Sequence, residues 1–104
     1  MAFVKVCALK SLPPGTVTEV RLDDRVFALC NHEGAVHALA GVCPHAHGPL
    51  GHGIMNAKYL VCPWHFWGFD CETGENDYDP HFKLERFAVK LSESEIFFDP
   101  EAHA

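Results

Sequence analysis

Two short stretches of this chain carry side chains able to hold a soft metal: CPHAHG, beginning at Cys43, and CPWHFWG, beginning at Cys62. The first supplies Cys43 and His45, the second Cys62 and His65, so each offers one thiolate and one imidazole. Such donors suit zinc or the iron of an iron-sulfur cluster, and suit magnesium and calcium poorly because those ions want oxygen. Composition alone leaves iron and zinc both open. Spacing separates them. Structural zinc modules usually pair like ligands within a knuckle, Cys with Cys and His with His, and neither stretch does so. One Cys and one His in each loop instead lets the two Cys meet on one metal and the two His on another, an arrangement given by two irons bridged by two sulfides. A purely structural zinc module stands as the competing reading.

The residues Cys43-Pro44-His45 and Cys62-Pro63-Trp64-His65, with the flanking Gly48-Pro49-Leu50 and Gly68-Phe69-Asp70, resemble the Rieske 2Fe-2S domain. The stretch VKVCALKSLPPG and the alternating segments on both sides are similar to the small soluble Rieske ferredoxins and to the small subunit of assimilatory nitrite reductase. This resemblance covers essentially the whole chain. It implies one 2Fe-2S cluster per chain, ligated by Cys43, His45, Cys62 and His65. It also implies an all-β fold, an antiparallel β-sandwich forming one domain over 1–104, with a small cluster-binding subdomain at about 42–71 formed by two loops. The function implied is that of a one-electron carrier, not itself an enzyme, passing electrons from an NAD(P)H-dependent ferredoxin reductase to a terminal oxygenase. The alternative is a small Rieske subunit held on the large subunit of an NAD(P)H-dependent nitrite reductase. Pro80 would belong to a third loop covering the cluster.

Charge counting gives the chemistry. Two ferric ions, two sulfides and two thiolates sum to zero when both His are neutral, so an added electron is accepted more readily than by an all-thiolate cluster. Rieske centres accordingly span about −150 to +300 mV, against about −400 mV for plant-type ferredoxins. Rieske proteins of cytochrome bc complexes resemble this motif but carry an extra Cys in each loop and Ser and Tyr hydroxyls that bond the sulfurs. The corresponding positions here are Gly48 and Trp64 for the cysteines, and Trp67 and Phe69 for the hydroxyls. Fewer donors stabilise the reduced cluster less, which points to the low end of the range.

The other candidates have plainer readings. His47 lies two residues from His45 and competes with it, but the resemblance places the ligand at His45. His32, His37, His52, His81 and His103 lack metal spacing among themselves and read as surface or turn residues. Cys7, Cys30 and Cys71 lie in strand-like surroundings and read as buried reduced thiols. Trp67 and Phe69 read as core packing. Phe66, a bulky ring where many relatives have Gly, would either shield the iron or form part of a docking face. Asp70 reads as a turn or strand residue, not a general base, and no Ser-His-Asp or Cys-His nucleophile system is evident.

Loops must be positioned, and the rest of the chain reads as the strands that do so. With 104 residues, 48% of them hydrophobic, the chain can bury a core but has little room for a second site. A net charge of −6 argues against nucleic acid and favours a basic patch on a protein partner. No signal-peptide pattern or apolar run of spanning length is present, so a soluble, cytoplasmic monomer is expected. Apolar and polar residues alternate over 3–9 and 16–22, and further strand segments read over 25–30, 35–40, 84–91 and 95–99, with turns at Pro13-Pro14-Gly15, Asp23-Asp24, Asn31 to Gly34, Thr73-Gly74 and Ser92 to Ser94. Shorter strands over 58–61 and 68–71 lead into and out of the second loop. Helical periodicity is weak throughout.

Overall fold

Strand-forming segments joined by two-residue turns can only fold back on their neighbours, and the chain does this repeatedly. The computed structural model describes residues 3–44, 47–64 and 66–104. Among the described residues the strands are β1 (Val4–Ala8), β2 (Val17–Leu22), β3 (Arg25–His32), β4 (Ala35–Ala40), β5 (Ile54–Asn56), β6 (Tyr59–Val61), β7 (Gly68–Asp70), β8 (Arg86–Ser92) and β9 (Glu95–His103). Single 3₁₀ turns occupy Leu9–Ser11 and Leu50–His52. All pairing is antiparallel, in one large sheet of order β1-β9-β8-β4-β3-β2 and a small one of order β5-β6-β7. The expected all-β antiparallel architecture is therefore found. No helix among the described residues is long and apolar enough to cross a membrane.

Strand β3 is buried on both faces, which is why Phe27-Ala28-Leu29-Cys30 reads as an unbroken apolar run. Its alternate residues serve two different cores. Phe27 and Leu29 face Leu12, Ala38, Phe87, Ile96 and Phe98, where the Phe27 ring meets Phe87 and Phe98 edge-on at 5.2 and 4.9 Å. Val6 from one edge strand and Val20 and Leu22 from the other pack against this same core, so the large sheet curls until both edges share it. Ala28 and Cys30 face the second core with Leu39, Leu50, Leu60, Phe69 and Leu84. That second core joins the small sheet to the large one, and Cys43 and Cys62 are part of it.

Two departures from the sequence reading have local causes. Strand β9 runs past Asp99 to His103 although Pro100 has no N–H to give a ladder. The register accommodates it by a bulge: Phe87 pairs with His103 while its neighbour Ala88 pairs with Asp99, and Asp99 Oδ1 accepts the Glu101 N–H at 2.9 Å. Strand β5, unforeseen, pairs with β6 through a turn in which Ala57 takes a left-handed φ of 53°.

Candidate metal centre

The two Cys-Pro loops leave the sheets differently but close in the same way. Cys43 N–H donates to Gly48 O at 2.9 Å, and His47 N–H donates to Cys43 O at 2.8 Å. In the second loop Cys62 N–H donates to Trp67 O at 2.8 Å, and Phe66 N–H to Cys62 O at 3.1 Å. In each, the residue four after the Cys is left-handed, His47 at φ 60° and Phe66 at φ 59°. The halves are thus matched by counting from Cys, so Gly48 corresponds to Trp67. Counting from the His residues, as the sequence invites, would have equated Gly48 with Gly68. Holding two non-glycine residues left-handed costs about 1 kcal/mol or more each, a cost the doubled loop bonds offset.

This shared geometry turns both cysteine side chains inward. Cys43 and Cys62 are each about 1% exposed. Burial raises the Cys62 pKa; the Trp64 N–H opposes the rise, and the adjacent Cys43 thiol adds to it. Two neighbouring buried thiols are a donor pair suited to a cation of soft character. The backbone closes tightly over them: a Cβ on Gly48 would lie 2.6 Å from Cys62 Sγ and 3.2 Å from Trp64 Cγ. The residues present therefore fit one end of an iron-sulfur site. Among the described residues no group of three or more Cys, His, Asp or Glu surrounds one point. The other two expected ligands, His45 and His65, lie outside the described residues.

Other expectations can be placed. His47 is exposed. Trp67 and Phe69 pack as expected, Trp67 edge-on to Phe82 at 5.0 Å and Phe69 fully buried. Phe66, by contrast, is 77% exposed and Trp64 51%, so the tip of the second loop presents aromatic surface to solvent, as a docking face requires. The third loop is anchored by Asn76, whose Nδ2 donates to Gly68 O at 2.9 Å and whose Oδ1 accepts Tyr78 N–H and Asp79 N–H at 3.0 and 2.7 Å. Gly68 makes room for this loop, since a Cβ there would stand 3.0 Å from Asp77 Oδ2. Gly68 also pairs with Val61 in the small sheet. His52, His81 and His103 pair with Glu19, Asp79 and Glu85 at 3.3, 3.0 and 2.8 Å, as surface residues do.

Asp70 is a strand residue, as read. Burial tends to raise its pKa, but the Glu72 N–H at 2.8 Å and Lys58 Nζ at 3.1 Å prevail and hold it below the ordinary carboxylate value. A depressed folded pKa contributes stability that is complete above the unfolded value of about 3.9 and is lost as pH falls through the folded one. Asp70→Asn is therefore expected to lower the melting temperature by a few degrees at neutral pH and to have almost no effect at the acid end, which thermal melts of both proteins across pH will show.

Comparison with known proteins agrees with this geometry. The model of the Rieske [2Fe-2S] domain matches residues 2–88. The ferredoxin component of the alkene monooxygenase system of Xanthobacter autotrophicus is 29% identical over 100 residues, covering 95% of this chain and 82% of that protein. The structure of a complex of reduced oxygenase and oxidized ferredoxin in carbazole 1,9a-dioxygenase contains a chain superposing with a TM-score of 0.87 at 27% identity, covering 96% of this chain and 94% of that one. A chain assigned as the small subunit of an NADH-dependent nitrite reductase from Mycobacterium tuberculosis superposes at 0.84 with 25% identity, covering 93% of each. Apoptosis-inducing factor 3 of Homo sapiens is 33% identical over 93 residues, 88% of this chain, but the match spans only 15% of that protein's length. On motif, fold and family match together, this chain belongs to the Rieske [2Fe-2S] domain family.

Proposed function

We propose that this protein is a one-electron carrier, a ferredoxin serving an oxygenase system, with Cys43 and Cys62 on one iron of a single 2Fe-2S cluster and His45 and His65 on the other. The observation that carries this reading is the convergence of two identically bonded Cys-Pro loops on a pair of adjacent buried thiols. The cluster would supply one reversible electron. The chain's own part is to fix the thiols by the loop bonds, to exclude water with Leu50, Leu60 and Phe69, and to present Trp64 and Phe66 to a partner. Residues of about 42–71 act as the cluster-binding part of one domain spanning 1–104. The partners are an NAD(P)H-dependent reductase and a terminal oxygenase, met by a monomer in the cytoplasm. The likeness to ferredoxins whose names place them in oxygenase systems supports this choice. Its likeness to a nitrite reductase small subunit supports the second reading, a subunit held permanently on a large chain.

Iron and acid-labile sulfide analysis, combined with a redox titration across pH, tests the reading. Two irons and two sulfides per chain are expected, with a midpoint potential near the low end of the Rieske span. The potential is expected to fall as pH rises, because His45 and His65 release N–H protons more readily in the oxidised state; the slope is at most about 59 mV per pH unit for each proton coupled to one electron. A single zinc without sulfide would overturn it. Co-purification with a large redox chain would select the second reading.

A further inference from the structure

A second pair of cysteines lies beneath the ligand loops, and the electron-carrying reading makes no use of it. Cys30 on β3 and Cys71, at the exit of β7, are both fully buried, belong to the same core and have directly interacting thiols. Cys30 stands opposite His37 in the β3–β4 register, and Arg86 on β8 lies opposite Leu39, two residues further along β4. Cys30, His37 and Arg86 therefore project from one face of the large sheet, and the small sheet delivers Cys71 onto it. Arg86 Nε donates to Cys71 O at 3.1 Å, and Arg86 Nη2 lies 3.2 Å from His37 Nδ1. Because a guanidinium can only donate, His37 Nδ1 must accept and the ring proton of a neutral imidazole sits on Nε2. That Nε2 is buried without a hydrogen-bond partner. His37 also interacts with the Cys71 side chain, so a thiolate there would provide the missing acceptor.

The thiol pair divides its labour accordingly. Cys71 is lowered to about 5, chiefly by the Cys30 thiol, against the opposing effect of burial and with further help from His37. Cys30 moves the opposite way, raised by its bond to Cys71 and by burial. One sulfur is thus the nucleophile and the other stays protonated until called on. Both are fully buried beneath the half-buried His37 and Arg86, so a small oxidant reaches them only through transient local opening of that cover.

We propose that Cys30 and Cys71 form a second redox site, a dithiol that hydrogen peroxide closes to a disulfide. The Cys71 thiolate attacks one peroxide oxygen, the O–O bond breaks, and Cys71 becomes a sulfenic acid while the leaving hydroxide takes up the proton the thiol had released, forming water. The Cys30 sulfur then attacks the Cys71 sulfur, the S–O bond breaks and the second water leaves with the Cys30 proton. Two thiols lose two electrons and one peroxide gains them. The bridge closes a loop from residue 30 to residue 71 that contains both ligand loops, so it braces the metal centre against unfolding.

Treatment of the cluster-loaded protein with a small excess of hydrogen peroxide, alkylation of remaining thiols under denaturing conditions and peptide mass mapping tests this. The expected product is a peptide pair joining Cys30 to Cys71, lighter by two hydrogens, restored by a thiol reductant. Its formation should raise the melting temperature of the wild-type protein. In Cys30→Ser the expected product is a sulfenic acid on Cys71 trapped by dimedone. The visible spectrum, followed throughout, separates this event from cluster loss. Recovery of both cysteines as alkylated thiols, or oxidation confined to Cys7 or to Cys43 and Cys62, would overturn the proposal, and the wild-type map decides it even if the variant fails to fold.

Discussion

Cys62→Ser is expected to yield a folded but colourless chain, and Cys43→Ser the same. Removing a partner that merely orients a metal ligand typically lowers metal affinity about 10- to 100-fold, so removing one of two thiolates on a single iron should exceed that. The replacement is nearly the same size, and the loop bonds from Cys43 and Cys62 are made by backbone atoms, so the sandwich itself should survive. Serine's oxygen, however, is a harder donor that ionises far less readily than a thiol. Iron per chain and visible absorption measure the effect, and far-ultraviolet circular dichroism checks the fold. His47→Ala supplies the contrast: exposed and left-handed, it should keep both iron and colour, whereas His45→Ala or His65→Ala should lose them. A colourless His47→Ala beside a coloured His45→Ala would overturn the ligand assignment.

That contrast marks where the sequence was informative. Soft donors in two short Cys-Pro loops narrow the metal chemistry before any fold is known, because donor softness is a property of the residues themselves. Strand β3 was legible for a similar reason: five apolar residues in a row, Val26 to Cys30, bounded by Arg25 and Asn31, leave little choice but a strand covered on both faces. What escaped the sequence depends on partners distant in the chain. The correspondence of Gly48 with Trp67 is set by backbone hydrogen bonds, and no residue pattern reveals it. Strand β5 has no alternation to announce it and exists because β6 offers a free edge. The extension of β9 past Pro100 needed a bulge that Asp99 makes possible through its own side chain. The need for glycine at position 68 comes from the third loop, which places Asp77 against it. Cys30 and Cys71 each read as an inert buried thiol, and become a pair only because the small sheet folds onto the face that carries His37 and Arg86.

Gly48→Ala is the second substitution expected to act strongly, and it does so without touching a ligand. Gly48 is buried and has an ordinary backbone conformation, so alanine meets no conformational penalty there. The difficulty is space. Its Cβ would come 2.6 Å from Cys62 Sγ and press on Trp64, at contacts that cannot stand unless the sulfur or the loop moves. Overpacking a tight site usually costs about 1–3 kcal/mol, and here the displaced atom is a metal donor, so the penalty falls on metal retention as well as on folding. Gly15→Ala separates the two: Gly15 holds a φ of 86° with nothing within 4 Å of an added Cβ, so alanine there strains the backbone at a turn remote from the loops. Both variants should melt earlier than the parent, Gly15→Ala by the equivalent of about 1 kcal/mol. Only Gly48→Ala should lose iron faster under a chelator, with an altered visible spectrum in whatever fraction stays loaded. Equal iron retention in the two variants would mean that the first loop does not close over the Cys62 sulfur in the loaded protein.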